Sequence, residues 1–338
     1  MIKTGLVSAI LPVKNSASTL IETIRSIQIQ VFQNWELIIV VNQSKDASLE
    51  IALEASNFEK RIKVIDDKNS RGVAEACNVA LRESKGEFVA ICNADDINMP
   101  NRFLAQQSYL SQNPEVGVLG SNVQTFGKRY TYWNLPKDHK HIAPTMLFRG
   151  SIANPTAMIR RRILLDHCIE YDVSFNQGSE DLDLWERLSR VTLLQNLDYS
   201  LIKYRISNEQ LSAVNASILL ENARRVRERI LSQLGINAND IGNHLEIHNK
   251  ISDNKNIVNM DEFYDWLERI KSANSISNYF DPNALTRILE KETFMILKRN
   301  LEEPKSQLIN SSRLVSAVSS KMPLSWKIRA AEILRENT

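Results

Sequence analysis

Four short, nearly unbroken apolar runs, at 7–13, 37–41, 62–65 and 88–92, punctuate the first hundred residues at regular intervals. Runs of this length without polar alternation predict strands buried on both faces. The segments between them carry helical spacing: 18–31, with Leu20, Ile24 and Ile27 on one face, then 48–58 and 73–83. Strand–helix alternation of this kind predicts an α/β domain, a mostly parallel, Rossmann-like sheet flanked by helices. Ligands of such sheets sit beyond the carboxyl ends of the strands. Here that edge comprises 12–16, 42–46, 66–72 and 93–99.

From 116 to 157 the pattern is mixed, with β-type runs at 116–126 and 130–133. Asn154–Pro155–Thr156 precedes another apolar segment at 157–159. Residues 178–190 read as a helix with Leu182, Trp185 and Leu188 on one face, and 193–204 as the last strand. Beyond Ser207 glycine becomes scarce and helical patterns follow one another at 219–234, 260–272, 282–301 and 325–335. The expected division is a domain over 1–207 and an α-helical C-terminal region over 208–338.

Composition narrows the class. The 338 residues are 43% hydrophobic and 24% charged, as in an ordinary globular chain, and the formal net charge of +2 gives no field suited to nucleic acid. Three scattered cysteines without a CxxC pair suit buried thiols better than disulfides or zinc. The absence of a signal pattern and of any apolar run of about eighteen residues predicts a cytoplasmic protein. No glycine stands at 11–15, which sets aside a dinucleotide oxidoreductase.

The sharpest chemistry lies at Asn93–Ala94–Asp95–Asp96. An apolar strand delivers two adjacent carboxylates to the ligand edge, followed by Pro100 at an expected first helical position. Such hard oxygens can hold Mg²⁺ or Mn²⁺ when substrate phosphates complete the shell, or they can cap the next helix. Glu180 and Asp181 open the helix at 178–190, where first-turn acids are stabilised by the dipole and commonly cap. His139 and His141 read as a surface loop, His244 and His248 as helix residues without a zinc pattern, and Phe263 and Trp266 as core.

In order along the chain, LPVKN at 11–15, WELIIVVNQS at 35–44, NSRGVAEACN at 69–78, KGEFVAICNADD at 85–96 and EDLDLWERL at 180–188 resemble glycosyltransferase family 2. Asn154–Pro155 before Arg160–Arg162, and Tyr204–Arg205, are similar too. The resemblance spans about 5–207 and implies the GT-A fold. It implies a nucleotide-sugar donor, UDP-linked, and inverting transfer to a hydroxyl of a glycan or lipid-linked saccharide, in surface polysaccharide or lipopolysaccharide synthesis. It places Asp96 as metal ligand of a DXD-type motif and Asp95 at the ribose or metal. Pro12 and Asn42 would lie along the nucleoside, with Lys14, Arg71, Asn78 and Asn93 completing the donor site. Asp181 would be the general base. A non-catalytic nucleotide-sugar binder or assembly subunit is the alternative.

The chain departs from the family pattern at Lys14, Val41–Asn42 and Cys77, expected to flank the nucleobase pocket, and at Asn93 beside the acids. The tail at 321–335, apolar residues set among Lys321, Lys327, Arg329 and Arg335, reads either as an interfacial helix on the cytoplasmic face of the membrane or as a helix packed on the domain or on a second subunit of a homo-oligomer.

Overall fold

The computed structural model describes residues 2–207, 216–237 and 260–302. His244, His248, the residues 208–211 at the expected boundary and the basic tail at 321–335 lie outside them. The chain runs β1 (Lys3–Val13), α1 (Leu20–Gln28), β2 (Trp35–Asn42), α2 (Ser48–Phe58), β3 (Ile62–Asp67), α3 (Val73–Glu83) and β4 (Gly86–Ile91). It continues through β5 (Ile97–Asn98), α4 (Arg102–Gln112), β6 (Val116–Gly127), β7 (Tyr132–Trp133), α5 (His139–Thr145) and β8 (Met158–Arg160). Then come α6 (Arg161–Asp166), α7 (Glu180–Ser189), β9 (Leu193–Ile206), α8 (Ala216–Gln233), α9 (Met260–Ser277) and α10 (Pro282–Glu302).

The strands form a nine-stranded sheet in the order β3-β2-β1-β4-β8-β6-β9-β5, with β7 on β6. β3, β2, β1 and β4 are parallel, while β8 is antiparallel to both β4 and β6. The apolar runs are buried on both faces, as their lack of alternation requires. Val7, Ala9, Leu11 and Val13 of β1 pack with Leu20, Ile24 and Ile27 of α1 and with Leu37, Ile39 and Val41 of β2. The intervening Ile10, Ile38 and Val40 are equally buried. The expected α/β fold with a helical C-terminal region is the observed one.

Two local expectations are corrected. His139 and His141 lie on α5, not in a surface loop: the Asp138 carboxylate caps that helix by accepting from the His141 amide at 3.2 Å. His139 Nδ1 accepts from the Leu194 amide at 3.3 Å, and burial lowers the pKa of its ring. Pro100 does not begin a helix; α4 starts at Arg102 after Asn101, because β5 pairs with β9 between the acids and the helix.

Contacts divide the chain into two compact units, 1–146 with 150–226 and 147–149 with 227–338. In the second unit Phe263, Trp266, Leu267 and Ile270 of α9 are buried, as are Ala284, Leu285 and Leu289 of α10. Among the described residues no helix is long and apolar enough to cross a membrane.

Candidate active site

The carboxyl edge of the parallel strands is organised loop by loop. Asn15, with φ 50°, accepts from the Lys45 amide at 2.8 Å and donates its own amide to Ser44 Oγ at 3.0 Å, which joins the loops after β1 and β2. Pro12 is half-buried and Lys14 exposed beside this junction. At the end of β2, Asn42 donates one amide hydrogen to the Gly72 carbonyl at 3.2 Å, while its buried Oδ1 has no partner. Asp67, opposite Asn42 in the β2–β3 register, accepts from the Asn69 and Ser70 amides through Oδ1 at 3.0 and 3.1 Å. Burial opposes its charge, but these hydrogen bonds outweigh burial and lower its pKa; Oδ2 is buried without a partner. Arg71 is exposed, its amide donating to Glu75 at the start of α3.

β4 ends in the paired acids. Asp96 is only 2% exposed. Its Oδ1 accepts from the Arg205 amide at 2.9 Å and its Oδ2 from Asn93 Nδ2 at 3.1 Å. Thr19 and Thr23 of α1 donate to the carbonyls of Ala94 and Asp96 at 2.8 and 2.9 Å, fixing the turn. Burial first, and the charge of half-buried Asp95 second, push the Asp96 carboxyl well above the ordinary carboxylate range. The pair does not cap α4, so that reading of Asp95–Asp96 is withdrawn.

Two arginines that sequence reasoning missed build this turn. Arg102, fully buried, donates to the Ile91 carbonyl at 3.0 Å, the Ala157 carbonyl at 3.1 Å and Asn98 Oδ1 at 2.5 Å, locking the end of β4 to its neighbours. Arg205 donates Nε to the Asp95 carbonyl at 2.9 Å, pairs with Glu22 and lies 4.4 Å over the Phe126 ring. A bond between residues 109 apart leaves no periodic trace in sequence. The similarity of Tyr204–Arg205 to the family pattern was the one available signal.

The second acidic pair opens α7 after Ser179, whose φ of 62° and lack of a side-chain cap make an unusual helix start. The 171–181 segment is anchored on α3. A Cβ at Gly72 would stand 2.5 Å from the Asn176 carbonyl oxygen, so that close approach requires glycine. Asn176 Oδ1 accepts from the Glu75 amide at 3.1 Å. Asn78, expected along the donor, uses Nδ2 and Oδ1 to clamp the Tyr171 backbone with two 2.8 Å bonds, because it faces inward from α3. Cys77, expected beside the nucleobase, is a buried thiol whose pKa is raised by burial and then by the nearby Glu180 charge. α8 closes the segment from the other side, where Asn222 donates to the Gly178 carbonyl at 2.8 Å.

Asp181 retains some accessible surface yet is enclosed enough that burial raises its pKa, against a 2.7 Å bond from the Leu182 amide. Burial, and then the charge of Asp181, push Glu180 up to about 8. The two titrate as a pair, with fewer than two charges at neutral pH. Tyr171 is buried beside them, its hydroxyl without an oxygen or nitrogen partner and its pKa raised by burial.

Among the described residues no group of three or more His, Cys, Asp or Glu could hold a metal ion by itself. Asp95 and Asp96 nevertheless suit a hard cation. They are oxygen donors, and the Asp96 carboxyl, raised first by burial and then by the Asp95 charge, is one whose ionised form a divalent ion would stabilise. Diphosphate oxygens and water would have to supply the remaining ligands.

A parallel half-sheet continued by a mixed half, in which β8 is antiparallel to β4 and β6 while β9 runs parallel to β6, with paired acids after its fourth strand and a second acidic pair at a helix start, is the arrangement of a GT-A glycosyltransferase. Sequence comparison agrees. The Glycosyl transferase family 2 model matches residues 8–171. An uncharacterised glycosyltransferase of Haemophilus influenzae is 30% identical over 259 residues, 73% of this chain and 79% of that protein. The chain belongs to glycosyltransferase family 2. The Escherichia coli UDP-Glc:alpha-D-GlcNAc-diphosphoundecaprenol beta-1,3-glucosyltransferase WfgD is 26% identical over 211 residues, 62% of this chain and 80% of that one. Among solved structures, S. aureus TarS 1-349 in complex with UDP-GlcNAc aligns with a TM-score of 0.59 at 17% identity, covering 85% of this chain and 91% of that one; this similarity concerns the fold.

Proposed function

We propose that this glycosyltransferase moves a sugar from a UDP-sugar to a hydroxyl of a glycan or lipid-linked saccharide, with inversion, in surface polysaccharide synthesis. The observation that carries the reading is the two acidic centres set by the fold, Asp95–Asp96 after β4, where burial raises Asp96, and Glu180–Asp181 at the start of α7, where burial raises both. Both stand on segments tied to the carboxyl edge of the sheet. WfgD, by its name a UDP-glucose enzyme acting on a lipid diphosphate-linked sugar, supports the donor and acceptor classes.

Each centre has its task. Asp96, assisted by Asp95, would hold Mg²⁺ or Mn²⁺, which supplies Lewis-acid stabilisation of the departing diphosphate. Pro12, Lys14, Asn42 and Arg71 line the nucleotide, and Asn93 steadies Asp96. Asn42 Oδ1 and Asp67 Oδ2, both buried without partners, favour a base that offers N–H donors, as uracil does at N3. Asp181 accepts the acceptor hydroxyl's proton while that oxygen bonds to the anomeric carbon; the carbon–oxygen bond to UDP breaks with the electron pair on the phosphate. Attack from the face opposite the leaving group inverts the centre. A raised pKa makes Asp181 a stronger base than an ordinary carboxylate.

The test is a donor panel read by mass spectrometry with Mn²⁺ present, comparing wild type with Asp181→Asn. Release of UDP from one UDP-sugar, lost in the variant while UDP binding persists, is expected. Preference for GDP-sugars would remove the uracil assignment. Turnover of no donor by the wild type would leave the non-catalytic binder in its place.

A further inference from the structure

The hairpin after β6 and the last strand gather aromatic side chains that neither acidic pair uses. Tyr130 and Tyr132 are 77% and 47% exposed, and Trp133 is half-buried. The hairpin is held in place by its own backbone: the Thr131 amide donates to Thr125 Oγ1 at 2.6 Å, and the Leu135 amide to Asn122 Oδ1 at 2.9 Å. Trp133 of β7 pairs with Val123 on one side of β6, and Tyr204 of β9 with Thr125 on the other. Strand alternation sets both on the face of the buried Val123 and Thr125, and Tyr132, opposite exposed Gln124, on the other face. The Trp133 and Tyr204 rings meet across β6 with centroids 5.0 Å apart and planes at 45°.

This pair borders the first acidic centre. β5 pairs with β9 through Ile97 and Lys203, one residue short of Asp96 and Tyr204. The next amide along β9, that of Arg205, donates to Asp96 Oδ1 at 2.9 Å. Aliphatic side chains suffice to cover a sheet face. Two half-buried rings with polar tips suit a ligand that is apolar on one side and hydroxylated at its edge. A pyranose is such a ligand. One face presents C–H groups, which the negative face of an aromatic ring attracts, and its rim carries hydroxyls that an indole N–H or a phenol can meet.

We propose that Trp133 and Tyr204 form the platform on which a pyranose ring of the acceptor stacks, beside Asp95 and Asp96. The platform rests on the glycosyl-transfer reading and adds to it the residues that take the acceptor. The two rings bind and orient the saccharide; proton removal stays with Asp181.

Saturation-transfer NMR on the full-length protein, with UDP and Mn²⁺ present, tests it with the methyl glycosides of glucose, galactose and N-acetylglucosamine as probes. At least one probe binds saturably, with transfer strongest to the C–H protons of one face. Trp133→Leu and Tyr204→Leu each weaken that binding about tenfold. Tyr204→Phe and Trp133→Phe, which keep a ring, weaken it less, and Tyr132→Leu on the opposite face leaves it unchanged. Thermal melts and calorimetric UDP affinity, the same in every variant, separate a missing ring from a damaged fold. Saturable binding of no probe, binding indifferent to Trp133→Leu and Tyr204→Leu, or an equal loss in Tyr132→Leu overturns the platform. The transfer reading is judged apart from this, by UDP release from the donor panel. A wild type that turns over no donor yet binds a probe through Trp133 loses the reaction and keeps the saccharide site.

Discussion

The two acidic pairs of the first unit are alike in residue type and opposite in surroundings. Asp96 sits among directed donors, the Arg205 amide and Asn93, with the Arg205 guanidinium on the adjoining carbonyl. Glu180 and Asp181 sit beside Tyr171 and Cys77, neutral groups at ordinary pH, with one amide bond from Leu182. Burial raises Asp96, Glu180 and Asp181, but relief differs. Excess charge at the first is suited to a bound cation, and excess charge at the second to a bound proton. In the proposed mechanism the fold would thus separate metal work from proton work with the same side chain.

The largest effect should come from removing the proton acceptor. Asp181→Asn is expected to lower kcat by about 10²–10⁴-fold with UDP affinity unchanged; a parallel loss of UDP binding, measured by calorimetry, would merge the two centres into one. Asp96→Asn should cost about 10²-fold in kcat/KM and abolish the Mn²⁺ dependence of nucleotide binding. If Mn²⁺ still tightens UDP in that variant, the first pair is not the cation site.

Glu180→Gln sharpens the contrast through pH. The folded pKa of Glu180, about 8, lies above its ordinary 4.5. Its contribution to stability is therefore fully present below pH 4.5 and is lost as pH rises through 8. Wild-type Tm should fall across that window more than the variant's, a difference thermal melts at several pH values will show. The acid limb of kcat/KM, governed by deprotonation of Asp181, should stay in place in Glu180→Gln, since Glu180, pushed up to about 8, is already neutral where Asp181 loses its proton. Tyr171→Phe should give the smallest change, a shift of that limb with little effect on KM for the donor. An unchanged profile would reduce Tyr171 to packing.

Much of this was written in local pattern. The strands β1 to β4 were legible because burial on both faces leaves apolar runs that few other elements imitate, and Asp95–Asp96 followed because the last run ends there. The short β5, and α5 with Pro144 inside it, were not legible. Two residues carry no period, and that proline is a helix-breaking signal. The roles of individual polar residues were least legible. Asn78 matched the family's donor-site segment and is a clamp on Tyr171, while Asn176, never singled out, holds the start of α3.

Sequence alone determined the order of elements, the carboxyl edge and the acids carried to it, because hydrophobic period and strand ends are properties of neighbouring residues. Only tertiary structure decided which acid is buried, which is charged and which arginine supports them. Burial and hydrogen bonding are set by residues as far apart as Asp96 and Arg205, and no local pattern contains them.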